Sequence, residues 1–164
     1  MPDSGGEQHR HFEAASGNGA AHTGTAEDRE AQVRTAFAGL LQIRTMMNTE
    51  AAEPHALPAP WERHRPVQAV ALALEAAGIP PSATGPDGSR TAAGYCVDEA
   101  GTPGTVRVEW LGPPGSGAAQ HQQAELKRCA EVLRPLGWEV LEYRGRGRQR
   151  FLEVEPLPLS RSGA

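Results

Sequence analysis

Apolar residues recur along this chain with two different periods, and the switches between them mark out its elements. Between positions 26 and 47, Val33, Ala36, Phe37, Leu40, Leu41 and Met47 return every three or four residues, the period of a helix with one apolar face. Arg29, Gln32, Arg34 and Gln42 lie mostly off that stripe. Thr25 stands where a hydroxyl caps the first turn, and Glu27, Asp28 and Glu30 follow where the helix dipole favours acids. The spacing predicts a helix over 26–47. A second begins at Pro66 and carries Val67, Val70, Ala71, Leu74 and Ala77, and a third, from about 118, carries Leu126, Cys129, Ala130, Leu133 and Leu136. Both end in one grammar: glycine, then an apolar residue that reaches back to the last turn, as Gly78-Ile79 toward Leu74 and Gly137-Trp138 toward Leu133. Pro135 removes a hydrogen bond from the last turn of the third helix, which must tighten or stop early.

Elsewhere the period drops to two. A strand is predicted over 91–97, and after the turn 98–104 a second over 105–111, where Val106, Val108 and Trp110 alternate with Arg107 and Glu109. The third helix is followed by strands over 138–143 and 150–155. In the first, Trp138 and Val140 share one face and Leu141 and Tyr143 the other, and in the second Leu152 and Val154 oppose Phe151, Glu153 and Glu155. The fold class is therefore α+β: a four-stranded antiparallel sheet from two helix-hairpin units (α-β-β-α-β-β) spanning 66–156, with two helices on one face. The helix over 25–47 lies outside those units, and its stripe is expected to face the domain, a copy of itself or a partner.

The remaining segments have no period. Positions 1–24 are Gly, Ser, Ala, Asn and His around an isolated Phe12, too little apolar surface to offset the entropy of ordering, and read as a disordered tail. Positions 48–65 carry Pro54, Pro58 and Pro60 and read as an extended linker that Trp61 pins to the domain. Positions 157–164 read as a fraying C-terminal tail.

Composition narrows the functional classes. The formal net charge of −4 opposes nonspecific coating of nucleic acid, whose affinity grows with the number of phosphates neutralised. Only Lys127 among the 16 cationic side chains is a lysine, the bias of a GC-rich bacterial coding genome, which lowers the weight of any single arginine. Two cysteines, Cys96 and Cys129, fall in no CxxC pair and are expected to be reduced and buried. No apolar run reaches the 18 or so residues that a membrane span requires, and no secretory leader opens the sequence, so a cytoplasmic protein is expected, with no membrane partner.

No chemistry-bearing motif emerges. There is no Gly-x-Ser-x-Gly elbow, and Ser116 sits in a Gly-Ser-Gly joint. The chain has no Gly-Lys-Ser/Thr phosphate loop, and Gly145-Arg146-Gly147 lies between two antiparallel strands, with no helix start to receive a pyrophosphate. His9, His11 and His22 are dispersed along the tail, and His121 opens a helix in an exposed position. Carboxylate pairs are available in Glu139 with Glu142 and Glu153 with Glu155, and the last alternates out on one strand face, as solvated acids do in a half-buried sheet. The expectation is no catalytic residue, no cofactor and no metal: a small binding or adaptor protein acting through protein contacts.

One patch has concentrated charge. Arg144, Arg146, Arg148 and Arg150 alternate with Gly145, Gly147 and Gln149 between the last two strands, so an extended tip projects them together and glycine admits close approach. They are the candidate residues for a partner or for nucleic acid, the alternative reading. The competing expectation is that they pair with Glu139, Glu142, Glu153 and Glu155 across the strands.

Overall fold

Helix α1 spans Ala26–Met47, the range the apolar stripe predicts, and Thr25 Oγ1 accepts a hydrogen bond from the Asp28 N–H at 3.0 Å. The chain is described here from a computed structural model, over residues 12–147 and 149–158. After α1 come a 3₁₀ turn at Pro54–Ala56, α2 (Pro60–His64), α3 (Pro66–Ala76), β1 (Ala83–Thr84), β2 (Arg90–Ala92), β3 (Gly94–Glu99), β4 (Val106–Leu111), α4 (Ala118–Leu133), a 3₁₀ turn at Arg134–Leu136, β5 (Trp138–Arg144) and β6 (Arg150–Pro156). The fold is α+β with two helix-hairpin units in succession. Strands β3 to β6 form one antiparallel sheet in the order β3-β4-β6-β5, so the two hairpins meet at β4 and β6, and β1 and β2 form a separate ribbon.

The sheet buries one face beneath α3 and α4. Trp138, Val140, Leu152, Val154, Val106, Val108, Tyr95 and Val97 point inward, against Leu74, Leu126, Cys129 and Leu133 from the helices. Each fully buried leucine stabilises the fold by roughly 1.5–3 kcal/mol relative to exposure. Both helix endings match the expectation. Gly78 and Gly137 adopt φ of +84° and +89°, Ile79 N donates to Leu74 O at 3.2 Å, and Pro135 tightens the turn after α4 into 3₁₀ geometry.

Helix α1 forms a third layer on α3, placing Val33 and Leu40 in the core, so its stripe is used within the chain. It runs antiparallel to α3 and is tied at both ends. At its start Arg29 grips Glu75 through Nε (2.6 Å) and Nη2 (2.8 Å), and Ala15 N donates to the same carboxylate at 3.1 Å. At its end Arg44, only 1% exposed, meets the wholly buried Glu62 in a bidentate pair at 2.8 and 2.6 Å. The last place on the buried stripe is thus taken by Arg44, while Met47 lies exposed.

That pair corrects the extended-linker reading of 48–65. Proline is tolerated in the first turn of a helix, where its missing N–H would have had no partner. Pro60 occupies that place in α2, and Glu62 two residues on reaches back to the Ala59 N–H at 2.8 Å. Arg44 Nη1 also donates to His55 O at 2.6 Å and Leu136 O at 2.7 Å, so one guanidinium joins α1, both 3₁₀ turns and α2.

Two further boundaries differ. The strand expected over 91–97 is split between β2 and β3, because the chain passes at Gly94 against the backbone of Pro80 and Pro81, where an added Cβ would lie 2.3 Å from each. Of the tail expected over 1–24, residues 1–11 lie outside the described residues, whereas 12–19 run beside β3. Val97 N donates to Ser16 O at 2.7 Å, Tyr95 Oη to Ala15 O at 2.7 Å and Thr84 N to Gly19 O at 2.9 Å. With Pro80 O accepting from Tyr95 N, these bonds cover the outer edge of β3. At the other end, Leu157 N donates to Gly137 O at 2.9 Å, and 159–164 lie outside the described residues.

Candidate binding surface on the β5–β6 ribbon

Strands β5 and β6 pair over seven positions, from Trp138↔Pro156 to Arg144↔Arg150, and β5 is the sheet's uncovered edge. The ribbon closes through a turn in which Gly145 N donates to Gln149 O at 2.8 Å, with Gly147 at φ +68°. Strand alternation therefore stops at Arg144 and resumes at Arg150, and among the described arginines Arg144, Arg146 and Arg150 do not continue one strand row. Arg144 and Arg150 lie directly opposite each other on the inner face, past the start of α4, and Arg146 is exposed in the turn. Arg148 lies outside the described residues.

The expected cross-strand pairing with glutamates is not formed by the described arginines. Among the described residues, Arg144, Arg146 and Arg150 form no ion pair. In the register no acid stands directly opposite an arginine: Glu139 faces Glu155, Glu142 faces Leu152 and Glu153 faces Leu141. Arg144 and Arg150 instead line a polar cleft of about 370 Å³ with Gln120, Gln123 and Gln149, and Gln122 Oε1 accepts from Arg150 N at 3.1 Å.

The outer face carries a different surface. Tyr143 and Phe151, paired across the strands, stack with centroids 5.5 Å apart and planes 13° from parallel, and the Arg107 guanidinium lies 4.0 Å over the other face of Phe151. Beside this row Leu141 is 47% and Tyr143 40% exposed. Glu109, Glu139, Glu153 and Glu155 surround it on the same face, and Gln149 Nε2 donates to Glu109 at 2.7 Å. The ribbon is thus bipolar, apolar and acidic outside and basic inside.

Other candidate groups are already engaged. An open cleft of about 460 Å³ brings Ser16, Asn18, His64, Asp98 and Glu99 together, yet Asp98 already accepts from Asn18 and from the Cys96 thiol at 3.5 Å, and His64 and Glu99 stand exposed. Acid–base work requires an environment that tunes the proton donor. His55 Nε2 lies 2.6 Å from Thr45 Oγ1. Of the tail histidines His22 is exposed, while His9 and His11 lie outside the described residues. His121 lies exposed in the first turn of α4, and Ser116, just ahead of the Gly117 cap, accepts from Ala118 N at 3.4 Å. Among the described residues no three His, Cys, Asp or Glu side chains converge as metal ligands would.

Both cysteines are free and buried. Burial, with the Asp98 carboxylate beside it, pushes the Cys96 thiol up to about 11, and burial pushes Cys129 up to about 12. A thiolate is the reactive form, so neither is an effective nucleophile at neutral pH. An aromatic disulfide reagent at pH about 8 is expected to titrate neither thiol in the folded protein and both in denaturant. The same shifts set an alkaline limit. The unfolded chain releases these protons near pH 8.5 and the folded chain only near 11 to 12, so stability is full below the first value and falls as pH rises toward the second. The buried Tyr95 hydroxyl, also raised by burial, acts in the same direction. Urea midpoints at pH 8 and 10 are expected to drop less for a Cys96→Ala/Cys129→Ala variant than for wild type.

Comparison with known proteins gives no match: no family model, no curated protein and no solved structure. No helix among the described residues is long and apolar enough to cross a membrane.

Proposed function

We propose that the chain is a cytoplasmic, non-catalytic binding protein that takes a protein partner on the outer face of its sheet. The observation that carries this reading is the row of exposed Leu141 and Tyr143 with half-buried Phe151 and Arg107, on a face that neither α3 nor α4 covers. Aromatic rings already held by stacking lose little side-chain freedom on binding and make effective anchors. The carboxylates around the row specify the partner's chemistry: an apolar side chain flanked by Lys or Arg. They also repel phosphates from this face. Two free, buried thiols suit a reducing compartment.

Panning a random peptide display library on the wild-type protein tests this reading. Enriched sequences are expected to share one apolar residue beside basic ones and to lose binding to Leu141→Asp and Tyr143→Ser variants. Absence of any shared sequence, or equal capture by the variants, overturns it. Light scattering on the purified protein distinguishes a second copy as the occupant.

A second reading, binding of nucleic acid at the ribbon tip, is favoured by Arg144, Arg146 and Arg150 lacking acidic partners among the described residues. It requires DNA or RNA affinity that falls steeply between about 50 and 200 mM salt, and that disappears when Arg144, Arg146, Arg148 and Arg150 are all changed to alanine. No binding at about 50 mM salt removes it.

A further inference from the structure

Arg144 and Arg150 form a cross-strand pair of like charge. Two cations directly opposite each other destabilise an antiparallel pair. Proteins commonly relieve such a repulsion with a carboxylate, and this chain has more acids than bases. Yet among the described residues no acid lines the cleft into which the pair opens: Gln120 and Gln123 supply neutral amides, Gln122 Oε1 accepts from Arg150 N, and the Gln149 amide is held by Glu109. The nearest ribbon glutamate, Glu142, shares the inner face two residues from Arg144, opposite Leu152, and is not among the residues that line the cleft. A doubly positive, carboxylate-free cleft is thus maintained at some cost to the fold, in the pattern by which functional sites are held against stability.

We infer that this cleft is a binding site for phosphoryl groups. The preference over a carboxylate follows from valence. One guanidinium fork saturates both oxygens and the single charge of a carboxylate, whereas two guanidinium groups lining one cleft supply the two charges and further donors that a phosphate can use. A volume of about 370 Å³ exceeds that of a lone phosphate, leaving room for a second phosphoryl group or a sugar, with the Gln120 and Gln123 amides to meet hydroxyls. The site is on the inner face of the ribbon, opposite the outer row, and does not depend on the protein-partner reading.

The source of the phosphate is either a small free molecule or the backbone of a nucleic acid, and thermal melting with two probes separates them. Wild type and an Arg144→Gln/Arg150→Gln variant are melted with inorganic pyrophosphate, with single-stranded DNA of about 12 nucleotides, and with sodium chloride at matched ionic strength. Wild type is expected to melt about 3 °C higher with at least one phosphate probe than with chloride. Response to pyrophosphate identifies a free ligand, and response to DNA alone identifies a polymer. The variant is expected to lose that response and, in phosphate-free buffer, to melt no lower than wild type, because its cross-strand repulsion is gone. Leu141→Asp, which tests the outer face, is expected to keep it. A variant that melts well below wild type without phosphate shows the arginines to be structural, and a wild type indifferent to both probes shows an empty claim on phosphate; either result overturns the inference.

Discussion

Replacing Arg44 by alanine is expected to lower the unfolding free energy by about 3–5 kcal/mol, the penalty for leaving one member of a buried ion pair without its partner. Against a typical domain total of about 5–15 kcal/mol that is a third or more of all stability. The reason is geometric. Glu62 is wholly buried, and without Arg44 its carboxylate keeps only the Ala59 N–H, while His55 O and Leu136 O lose a charged donor. Glu62→Ala is expected to be similarly severe, stranding a guanidinium that is 1% exposed. The double replacement Arg44→Met/Glu62→Leu is expected to recover most of the loss, because well-packed apolar groups replace a buried pair at little net cost. Urea midpoints on the four proteins give the coupling directly. Single variants within about 1 kcal/mol of wild type would place the pair in solvent and detach the α1 layer from the account given above.

Reading the chain as a pattern reached the elements but not this joint. The stripe Val33, Phe37, Leu40 continues to position 44 at helical spacing, and a lone arginine there was the available signal, since a charge in register with an apolar stripe has to find a partner. Periodicity alone sorts charged residues to the wet face, so Arg44 passes unseen and Met47 stands in its place. The proline-rich stretch misled for a related reason. Pro60 breaks a helix only from the interior, and at the first turn it begins one, which turned a predicted linker into the carrier of Glu62. Residues 12–19 were beyond any compositional reading. Their order comes from the unpaired edge of β3, whose N–H of Val97 needs an acceptor that Ser16 O supplies. Strand order likewise depends on which hairpin edges meet, and alternation is silent on that.

For the candidate surface, the alternation in β5 and β6 correctly put Leu141, Tyr143 and Phe151 opposite the core, and the arginine cluster was visible as composition. What the sequence did not reveal is the division of that cluster. Whether four alternating arginines form one row or two faces depends on where the ribbon turns, and the turn begins one residue after Arg144. Its consequence is geometric: a row would present its charges along one line, whereas Arg144 and Arg150 stand opposed over one cleft.

The glycines that end α3 and α4 provide an internally controlled prediction. Gly78 and Gly137 share a left-handed conformation, φ +84° and +89°, and in sequence they play the same part. Alanine in that conformation costs about 1–2 kcal/mol at either site. The surroundings differ. A Cβ at Gly78 meets nothing within 4 Å, whereas at Gly137 it would lie 2.3 Å from Ala56 O and 2.7 Å from Pro58 Cδ, a backbone oxygen and a ring that cannot swing aside. Relieving that overlap requires the 54–58 segment to lift away from the 3₁₀ turn at Arg134–Leu136, across which Arg44 bridges His55 O to Leu136 O. Gly78→Ala is therefore expected to lose about 1–2 kcal/mol, and Gly137→Ala about 3–5 kcal/mol once overpacking is added. Because both replacements bear the same conformational penalty, the difference between them measures the closeness of the α4 ending to the proline-rich segment, and equal losses would show that the two do not touch. In an Arg44→Met/Glu62→Leu background the excess at Gly137 is expected to shrink, since a segment no longer clamped by the guanidinium can move aside.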